Sequence, residues 1–361
     1  MKTYKLRDLL EIKNGRDHKE LKNGIYPVYG SGGVMRYVDT YLYDKPSVLL
    51  PRKGTLDNIQ YANKPFWTVD TLYYTEVRQD LVNAYYLYNY LKLLDLSNLD
   101  SGTGVPSMTF DSYYNLNVNI PSLPTQQKIA AVLSALDDKI ALNRRINAKL
   151  EAMAKRLYDH WFVQFDFPGD ADGKMEYNAT LKREIPAGWE VKKLGDFALI
   201  KRGTTITEKD TTKGNVKVVA GGLDFSYYHN QSNRKANCIT VSGSGENAGF
   251  VNFWRKPIFA SDCSTVQCEN DTDTILCYFA LKMQEKRFYR ISHKSAQPHI
   301  YPKDVAEIPV VIPNEVIKNK ISDFFIKANN EIAVIETEIQ KLTTLRDRLL
   351  PLLMNGQVII E

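Results

Sequence analysis

Residues 5–15 read Lys-Leu-Arg-Asp-Leu-Leu-Glu-Ile-Lys-Asn-Gly, and residues 193–203 read Lys-Leu-Gly-Asp-Phe-Ala-Leu-Ile-Lys-Arg-Gly. The two segments share an aspartate, the closing glycine and several apolar positions, and they lie 188 residues apart. A second matching pair, at 116–121 and 308–313, lies 192 residues apart. Because matching segments recur at nearly constant spacing, the chain is predicted to contain one structural unit twice.

Each copy begins with a β-rich part, at residues 1–123 and 189–313. Short apolar segments such as 47–51 are separated by Gly, Pro, Asn and Ser, which is typical of strands joined by turns. Between them, apolar residues recur at helical spacing at 81–94 and 274–287. The combination predicts an α+β domain with a strongly curved, mostly antiparallel sheet.

Each copy ends in a long helix, at 124–162 and 314–354, whose apolar residues step by three and four along a heptad seam. The seam of the second helix contains Ile321, Phe325, Ala328, Ile332, Ile335, Ile339, Leu342 and Leu349, and its end is marked by Pro351, Asn355 and Gly356. The seam of the first contains Ile129, Leu133, Leu136, Ile140, Asn143, Asn147, Leu150, Ala154 and Leu157. The asparagines specify register or face solvent at a loose point of the coil. The two helices are predicted to form an antiparallel coiled coil that relates the copies by an approximate two-fold axis.

A connector at 163–188 and a C-terminal tail at 355–361 complete the chain. At ~1.5 Å per residue, about 35 helical residues span roughly 50 Å. Dimeric DNA readers hold two reading heads about one duplex turn apart, roughly 34 Å. The helix length therefore indicates a monomer that imitates a dimer. Since its two heads differ in sequence, its target is predicted to be two unlike half-sites with an unread gap.

Composition excludes several classes of protein. No stretch approaches the ~18 consecutive apolar residues of a membrane span, and the N-terminus lacks the apolar segment of a secretory signal, so a cytoplasmic protein is expected. The four cysteines form no C-x-x-C pair, which predicts buried reduced thiols rather than disulfides or a metal site. The 47 basic and 42 acidic residues give a formal charge of +5, which permits a polyanionic partner without requiring one.

The junctions between these parts resemble those of a known family. The segments are Ile-Pro-x-x-Pro-x-Gln-Gln-Lys-Ile at 120–129, Arg-Leu-Tyr-Asp-His-Trp-Phe-Val-Gln-Phe-Asp-Phe at 156–167, Trp-Glu-Val-x-x-Leu-Gly-Asp-Phe at 189–197 and Leu-Leu-Pro-Leu-Leu-Met-Asn-Gly at 349–356. With the repeat, they make the chain similar over essentially its whole length to the specificity (S) subunit of type I restriction-modification systems, the HsdS family. Residues 314–318 lack the family's usual helix-entry glutamine, a departure that concerns only the local helix start.

The resemblance implies a non-catalytic subunit in which two target-recognition domains alternate with two spacer helices. The recognition domains would read the two halves of a bipartite target in double-stranded DNA. The helices would set the spacer and dock two modification (methyltransferase) subunits, and restriction subunits would join them in the full complex. The enzymatic subunits would carry all the chemistry, so neither a cofactor nor a metal is expected in this chain.

Two segments resemble enzyme motifs without completing them. Residues 63–66, Asn-Lys-Pro-Phe, lack the second proline of the Asn-Pro-Pro-Phe motif of adenine methyltransferases, and no Gly-rich loop for a methyl donor precedes them. Residues 243–249 are one residue too long for Gly-x-Gly-x-x-Gly, and no βαβ unit follows them. The five histidines show neither metal nor triad spacing. The sequence therefore predicts no catalytic site.

Candidate DNA contacts are loop residues that match groups on DNA: Arg and Lys for guanine and phosphate, Asn and Gln for adenine, Ser and Thr for either. In the first domain they are Arg16, Lys19, Arg36, Arg52, Lys53, Thr55, Ser101, Thr103 and Ser107. In the second they are Arg202, Thr204, Arg234, Lys235, Ser242, Ser244, Asn247, His293, Lys294, Gln297 and His299. The loops at 52–53 and 242–247 occupy equivalent places in the repeat, as do 101–107 and 293–299. Each residue has the alternative interpretation of a solvated polar turn.

Three further alternatives stay open. The basic residues of the first helix form a solvated face, or contact a partner subunit or spacer phosphates; they are Arg144, Arg145, Lys149, Lys155 and Arg156. An aromatic cluster caps the coil within the chain or anchors a partner; it contains Tyr158, Trp161, Phe162, Phe165 and Phe167. For the whole chain, the alternative to DNA recognition is a coiled-coil assembly scaffold that binds proteins, and a salt-dependent DNA affinity separates the two.

Overall fold

The computed structural model describes residues 1–54, 56–96, 107–167, 173–292 and 298–360. The chain divides into two compact units. Unit 1 contains Met1–Leu142 and Ile339–Glu361, and unit 2 contains Asn143–Glu338. Each unit therefore combines one β-rich domain with parts of two long helices.

Unit 1 has three groups of paired strands. Its strands are β1 (Lys2–Lys5), β2 (Leu10–Lys13), β3 (Asn23–Gly30), β4 (Gly33–Val38), β5 (Ser47–Pro51), β6 (Gln60–Ala62), β7 (Trp67–Thr68), β8 (Leu72–Val77) and β9 (Asn117–Ile120). Its helices are α1 (Leu6–Leu9), α2 (Ala84–Lys92), α3 (Phe110–Tyr114) and the first part of α4 (Leu123–Tyr158). The strands form the antiparallel pair β1-β9, an antiparallel sheet in the order β2-β8-β5-β6, and a sheet β4-β3-β7 in which β3 and β7 are parallel.

Unit 2 repeats this order. Its strands are β10 (Met175–Asn178), β11 (Arg183–Pro186), β12 (Glu190–Lys193), β13 (Leu199–Arg202), β14 (Val216–Val219), β15 (Tyr227–His229), β16 (Cys238–Ser242), β17 (Val251–Trp254), β18 (Ile258–Ala260), β19 (Cys263–Gln267) and β20 (Pro309–Ile312). Its helices are α5 (Asp271–Met283), α6 (Glu285–Ser292), α7 (Pro302–Ala306) and most of α8 (Glu315–Met354). The groups are β12-β20, β13-β19-β16-β17 and β15-β14-β18, plus the hairpin β10-β11.

The strand order confirms the predicted repeat and the α+β fold. Each sheet of unit 1 has a counterpart in unit 2 with the same order, including one parallel pair, β3-β7 and β14-β18. The pairing is mostly antiparallel, as predicted, but it is divided among small sheets instead of one curved sheet. Register shifts in β3, between Asn23 and Tyr26 and between Val28 and Tyr29, interrupt the ladder, and such bulges bend and twist a strand away from its neighbours.

In unit 1, the beginning of α4 packs against the end of α8. Ile129 and Leu133 are buried in one core cluster with Leu353. Arg346, which interrupts the apolar seam of α8, lies with its Nη1 2.8 Å from Oδ1 of Asp137. Because early residues of one helix contact late residues of the other, the helices pair antiparallel in this unit, as predicted.

In unit 2, the end of α4 packs against the beginning of α8, again antiparallel. Tyr158 is buried in a cluster with Ile321 and Phe325. Asn143 is 1% exposed, and its Nδ2 donates a hydrogen bond of 2.9 Å to Oε2 of Glu338. This seam asparagine is therefore buried and paired across the helices, which suits a role in setting their register.

Helix α8 continues for three residues past its proline. Pro351 lies within the last turn, and the helix continues to Met354. Gly356 then adopts φ +69°, and the amide of Gln357 donates to the carbonyl of Leu352 at 2.9 Å. Proline removes only one backbone donor near the helix end, whereas a left-handed glycine closes the helix with a reversed hydrogen bond.

The cysteines of unit 2 are free thiols, as predicted. Cys238, Cys263 and Cys277 are buried, and Cys268 is half-buried. Burial raises the pKa of Cys238 and of Cys263 to about 12. These thiols therefore stay protonated at neutral pH and act as small apolar core groups.

Candidate nucleic-acid interface

In unit 1, four segments that are distant in sequence meet beyond the ends of the strands. The amide of Arg16, after β2, donates to the carbonyl of Thr68 at 2.8 Å. The amide of Arg52, after β5, donates to the carbonyl of Thr71 at 2.9 Å, and its carbonyl accepts from the amide of Met108 at 2.9 Å. Lys53 forms an isolated β-bridge with Ser107. We call these segments, with the turn between β3 and β4, the unit 1 loop cluster.

The unit 2 loop cluster is built by equivalent hydrogen bonds. The amide of Thr204, after β13, donates to the carbonyl of Ala260 at 2.9 Å. Gly243, after β16, donates to the carbonyl of Asp262 at 3.2 Å and accepts from the amide of Ile300 at 2.9 Å. Ser244 forms an isolated β-bridge with His299. The backbone frame is thus the same in both clusters, while the side chains on it differ.

One glycine in each cluster permits the close approach of two strands. A Cβ atom at Gly15 would lie 2.0 Å from the carbonyl oxygen of Val69, and a Cβ atom at Gly203 would lie 1.9 Å from that of Ser261. Real Cβ atoms do not come this close to backbone atoms. These glycines close the segments that matched at the start of the two repeats, so the match reflects a packing requirement.

The predicted residues of unit 1 fall into two groups. Arg16, Lys19 and Lys53 are exposed. Arg36 is half-buried, and its Nη2 donates to the carbonyl of Leu21 at 2.8 Å, so it fixes the loop before β3. Half-buried Arg52 has Nη1 3.3 Å from the carbonyl oxygen of Asp70. The structure therefore leaves the first three side chains freest to meet a ligand.

The predicted residues of unit 2 that lie near β13 and before β16 divide in the same way. Arg202, Thr204 and Lys235 are exposed. The guanidinium of Arg234 is used internally: Nε donates to Oγ1 of Thr265 at 2.7 Å, and Nη2 donates to the carbonyl of Arg202 at 2.8 Å. Arg234 therefore ties the segment before β16 to β13 and β19, a role that its residue type alone does not reveal.

The polar residues of the unit 2 loop cluster differ in burial and in the contacts that they already make within the chain. Ser242 is buried, and its Oγ donates to the carbonyl of Gly222 at 3.2 Å. Ser244, Asn247 and His299 are half-buried, and the ring of His299 stacks on Tyr301 with centroids 5.8 Å apart. Six predicted contacts lie outside the described residues; they are Thr55, Ser101, Thr103, His293, Lys294 and Gln297.

Sequence reasoning missed one acidic residue in each cluster. Asp70 and Asp262 precede β8 and β19, and they lie among the cluster loops. The carboxylate Oδ2 of Asp262 accepts a short hydrogen bond from Oγ of Ser244. The repeat has aspartate at both matching positions. Residue type alone does not mark these aspartates as DNA contacts, because carboxylates do not bind phosphate.

The helix entries attach each domain to its long helix. In unit 1, Gln126 is fully buried; its Oε1 accepts from the amide of Asn83, the N-cap of α2, at 2.9 Å, and its Nε2 donates to the carbonyl of Pro121 at 3.0 Å. In unit 2, Nζ of Lys318 lies 2.8 Å from Oδ2 of Asp273 in the first turn of α5. An ion pair thus replaces the amide contacts at the equivalent place.

The missing helix-entry glutamine is compensated locally. Oδ1 of Asn314 accepts a hydrogen bond of 3.0 Å from the amide of Ile317. This satisfies one of the free amides that every helix start leaves. Helix α8 begins at Glu315 without the glutamine.

Replacing Gln126 with leucine is expected to lower the free energy of unfolding of the chain by about 2 kcal/mol. The substitution keeps the approximate side-chain size but removes the partner of the half-buried amide of Asn83 and of the half-buried carbonyl of Pro121. An unsatisfied buried group costs ~1–3 kcal/mol, and partial exposure keeps each of these two near the lower end. Urea unfolding followed by circular dichroism measures the change. Gln127→Leu is the matched control because Gln127 is exposed; equal losses in the two variants would contradict the role of Gln126.

The aromatic cluster at the end of α4 is packed inside unit 2, and the basic residues of α4 are on its surface. Tyr158 stacks on Phe162 and Phe279, and the whole aromatic cluster packs within unit 2. It therefore caps the helices within the chain. The five basic residues of α4 are exposed, which is compatible both with a solvated face and with a partner contact.

The phenylalanine of the Asn-Lys-Pro-Phe segment at 63–66 is a core residue. Phe66 is fully buried, and its carbonyl accepts from the amide of Leu42 at 2.7 Å. Among the described residues, no group of three or more His, Cys, Asp or Glu side chains is arranged to hold a metal ion. No described helix is long and apolar enough to cross a membrane.

Comparison with known proteins agrees with this architecture. The family model described as "Type I restriction modification DNA specificity domain" matches residues 1–152 and 186–344. The chain is 25% identical over 345 residues to the type I restriction enzyme MjaIX specificity subunit of Methanocaldococcus jannaschii, covering 89% of this chain and 79% of that protein. It is also 25% identical over 354 residues to the HindI specificity subunit of Haemophilus influenzae, covering 74% of each.

A solved structure shares the fold. The crystal structure of the type I restriction-modification system S subunit from M. genitalium superimposes with a TM-score of 0.64, at 18% identity, over 98% of this chain and 95% of that one. The family match occurs twice and covers both β-rich domains together with most of α4 and α8. The chain therefore belongs to the family of type I restriction-modification specificity subunits.

Proposed function

We propose that this specificity subunit reads a bipartite sequence in double-stranded DNA, one half with each loop cluster. The observation that carries the proposal is the pair of clusters, in which one backbone frame presents two different sets of side chains. A duplicated frame gives two sites of the same kind, whereas different side chains give each site its own target. Reading two unlike half-sites requires this combination.

The exposed groups of each cluster match the chemistry of DNA. Arg16, Lys19 and Lys53 in unit 1, and Arg202 and Lys235 in unit 2, are cations free to meet phosphates or guanine. Hydroxyl and amide groups, such as those of Thr204 and Asn247, suit hydrogen bonding to base edges. Phosphate contacts position a protein and base contacts specify the sequence. The unit 2 cluster holds groups of both kinds, and the cations of the unit 1 cluster suit either purpose because Arg and Lys bind both phosphate and guanine.

The long helices are proposed to set the spacer and to dock two methyltransferase subunits. Helix α4 contains 36 residues and α8 contains 40, or ~54 and ~60 Å at ~1.5 Å per residue. The outer face of α4 carries the exposed residues Arg144, Arg145 and Lys149. Because these side chains take no part in the apolar core of the chain, this face supports a contact with partner subunits. Restriction subunits are proposed to join the same complex.

The decisive experiment exchanges residues 189–313 for those of another specificity subunit and sequences the methylated sites of a host that carries the complete system. We expect one half of the methylated motif to change and the other half to stay. The reason is that these residues contain the whole unit 2 loop cluster and none of the unit 1 loop cluster. An unchanged methylated motif would show that residues 189–313 do not specify a half-site.

A binding measurement separates DNA recognition from the alternative of a protein-binding scaffold. The affinity of the complex for its target duplex should fall steeply with salt, because each phosphate contact releases counterions and adds ~0.9 to the slope of log K against log salt. A slope of several units supports DNA recognition. An affinity that does not depend on salt would favour the scaffold.

A further inference from the structure

We infer that Asp262 in unit 2 and Asp70 in unit 1 each read the amino group of one cytosine in the major groove. This inference rests on the proposed DNA-reading function and assigns to one residue of each loop cluster the base that it recognises. It is carried by the placement, surroundings and charge of the two carboxylates.

Asp262 is half-buried, and its carboxylate is held in place within the unit 2 loop cluster. Oγ of Ser244 donates to its Oδ2, which fixes the orientation of the group. A Cβ atom at Gly243 would lie 3.1 Å from Oδ1, and one at Gly221 would lie 3.7 Å from Oδ2. Glycine at these two positions therefore lets the backbone of the neighbouring loops approach the carboxylate closely. The carboxylate lies in a small recess that Arg202 and His299 also line.

In unit 1, Asp70 matches Asp262 in the repeat: each follows the residue whose carbonyl oxygen faces the close-packed glycine, Val69 and Ser261. The carbonyl that accepts from the amide of Arg52 belongs to Thr71, one residue further on. Asp70 is exposed and lines an open cleft of ≈ 570 Å³ together with Lys19, Ser31 and Thr71. Its backbone carbonyl, rather than its carboxylate, accepts from Nη1 of Arg52. Within the part of the chain that the structure describes, neither Asp70 nor Asp262 forms an ion pair.

An unpaired carboxylate facing DNA has few possible partners. Phosphate oxygens are anionic acceptors that repel it, so a contact with the DNA backbone is unfavourable. The hydrogen-bond donors that DNA offers in the major groove are the amino groups of cytosine and adenine. A carboxylate placed among cations that hold the phosphates is therefore matched by a base amino group.

The choice between the two bases follows from the neighbouring atom. In adenine the N6 amino group lies beside N7, a hydrogen-bond acceptor, so the second carboxylate oxygen would meet a lone pair. In cytosine the neighbour of the N4 amino group on the same ring is C5–H, which is not an acceptor; the nearest acceptor is O6 of the paired guanine, on the far side of N4. Aspartate accepts from cytosine, whereas asparagine, with one donor and one acceptor, matches adenine.

The test compares Asp262→Asn and Asp70→Asn with the natural chain, each in the complete complex in a host whose methylated sites are sequenced. Asp262→Asn should weaken the preference for cytosine at one position of one half-motif by about ten- to a hundredfold, and shift it towards adenine. Asp70→Asn should do the same in the other half-motif only. Asparagine has the size of aspartate and still accepts from Ser244, so folding is expected to be kept.

Glu269→Gln is the matched control, because Glu269 is exposed beyond the other end of β19 and should leave both half-motifs unchanged. If the Asp262→Asn complex fails to assemble, Ser244→Ala is the substitute variant. It keeps the charge of Asp262 but removes the hydrogen bond that orients its carboxylate, so it should weaken the preference for cytosine at the same position. Half-motifs left intact by these variants, in a complex where the 189–313 exchange alters one half, would overturn this inference alone. If the exchange has no effect either, the proposed function fails with it.

Discussion

Replacing Gly203 with alanine is expected to destabilise unit 2 by about 3 kcal/mol and to abolish recognition by its loop cluster. The added Cβ would lie 1.9 Å from the carbonyl oxygen of Ser261. The backbone cannot retreat without losing the hydrogen bonds from Gly203 to Cys263, at 2.8 Å, and from Thr204 to Ala260, at 2.9 Å. Overpacking of this kind costs ~1–3 kcal/mol or more, which lowers the melting temperature by roughly 6–12 °C.

Gly15→Ala should have the same effect on unit 1, where the contact is with the carbonyl oxygen of Val69. Differential scanning calorimetry measures both variants. Gly32→Ala is the control, since a Cβ atom there has nothing within 4 Å. A melting temperature within about a degree of the natural chain for Gly15→Ala and Gly203→Ala would show that the strands can separate without cost.

Replacing Phe325 with alanine is expected to cost ~3–5 kcal/mol, the range for removing a buried phenylalanine ring. Phe325 is 1% exposed, and its ring lies with centroids 5.8 Å from Phe279 and 6.3 Å from Trp161. The substitution would leave a cavity where α8, α5 and the end of α4 meet. Chemical unfolding followed by tryptophan fluorescence reports on it, because Trp161 is part of the same cluster.

Phe324→Ala is the neighbouring control. Phe324 is half-buried at the edge of the cluster, so its loss should cost about 1 kcal/mol. A loss for Phe325→Ala no larger than that for Phe324→Ala would mean that the helix junction repacks around the cavity. In that case the aromatic cluster would not be the group that fixes the helices in unit 2.

The duplicated fold could be predicted because its signals are local and repeated. The matching segments that end in Gly15 and Gly203 recur with the chemistry that their close packing requires. The heptad seam that includes Ile321, Phe325 and Ile332 lies on the buried face of α8. Periodicity and turn residues report on neighbours along the chain, so a single sequence reveals them.

The roles of individual polar residues could not be predicted from the sequence. Arg234 and Arg16 look alike as loop arginines, but Arg234 donates to Thr265 within the unit and Arg16 is exposed. Gln126 and Lys318 attach their helices with different chemistry: Gln126 bonds Asn83, 43 residues away, and Lys318 bonds Asp273, 45 residues away. The fold brings such partners together, so they cannot be predicted from residue type.

The sequence by itself determined that the chain is a tandem repeat of β-rich domains and long helices with an apolar seam. Hydrophobic periodicity and the glycines required for close packing are local features of the sequence, so they can be recognised without the structure. Only the tertiary structure decided which loops meet in each cluster, which cations stay free and where Asp70 and Asp262 lie. The physical reason is that a side chain's freedom depends on hydrogen-bond partners and steric neighbours supplied by distant segments, such as Ser244 for Asp262.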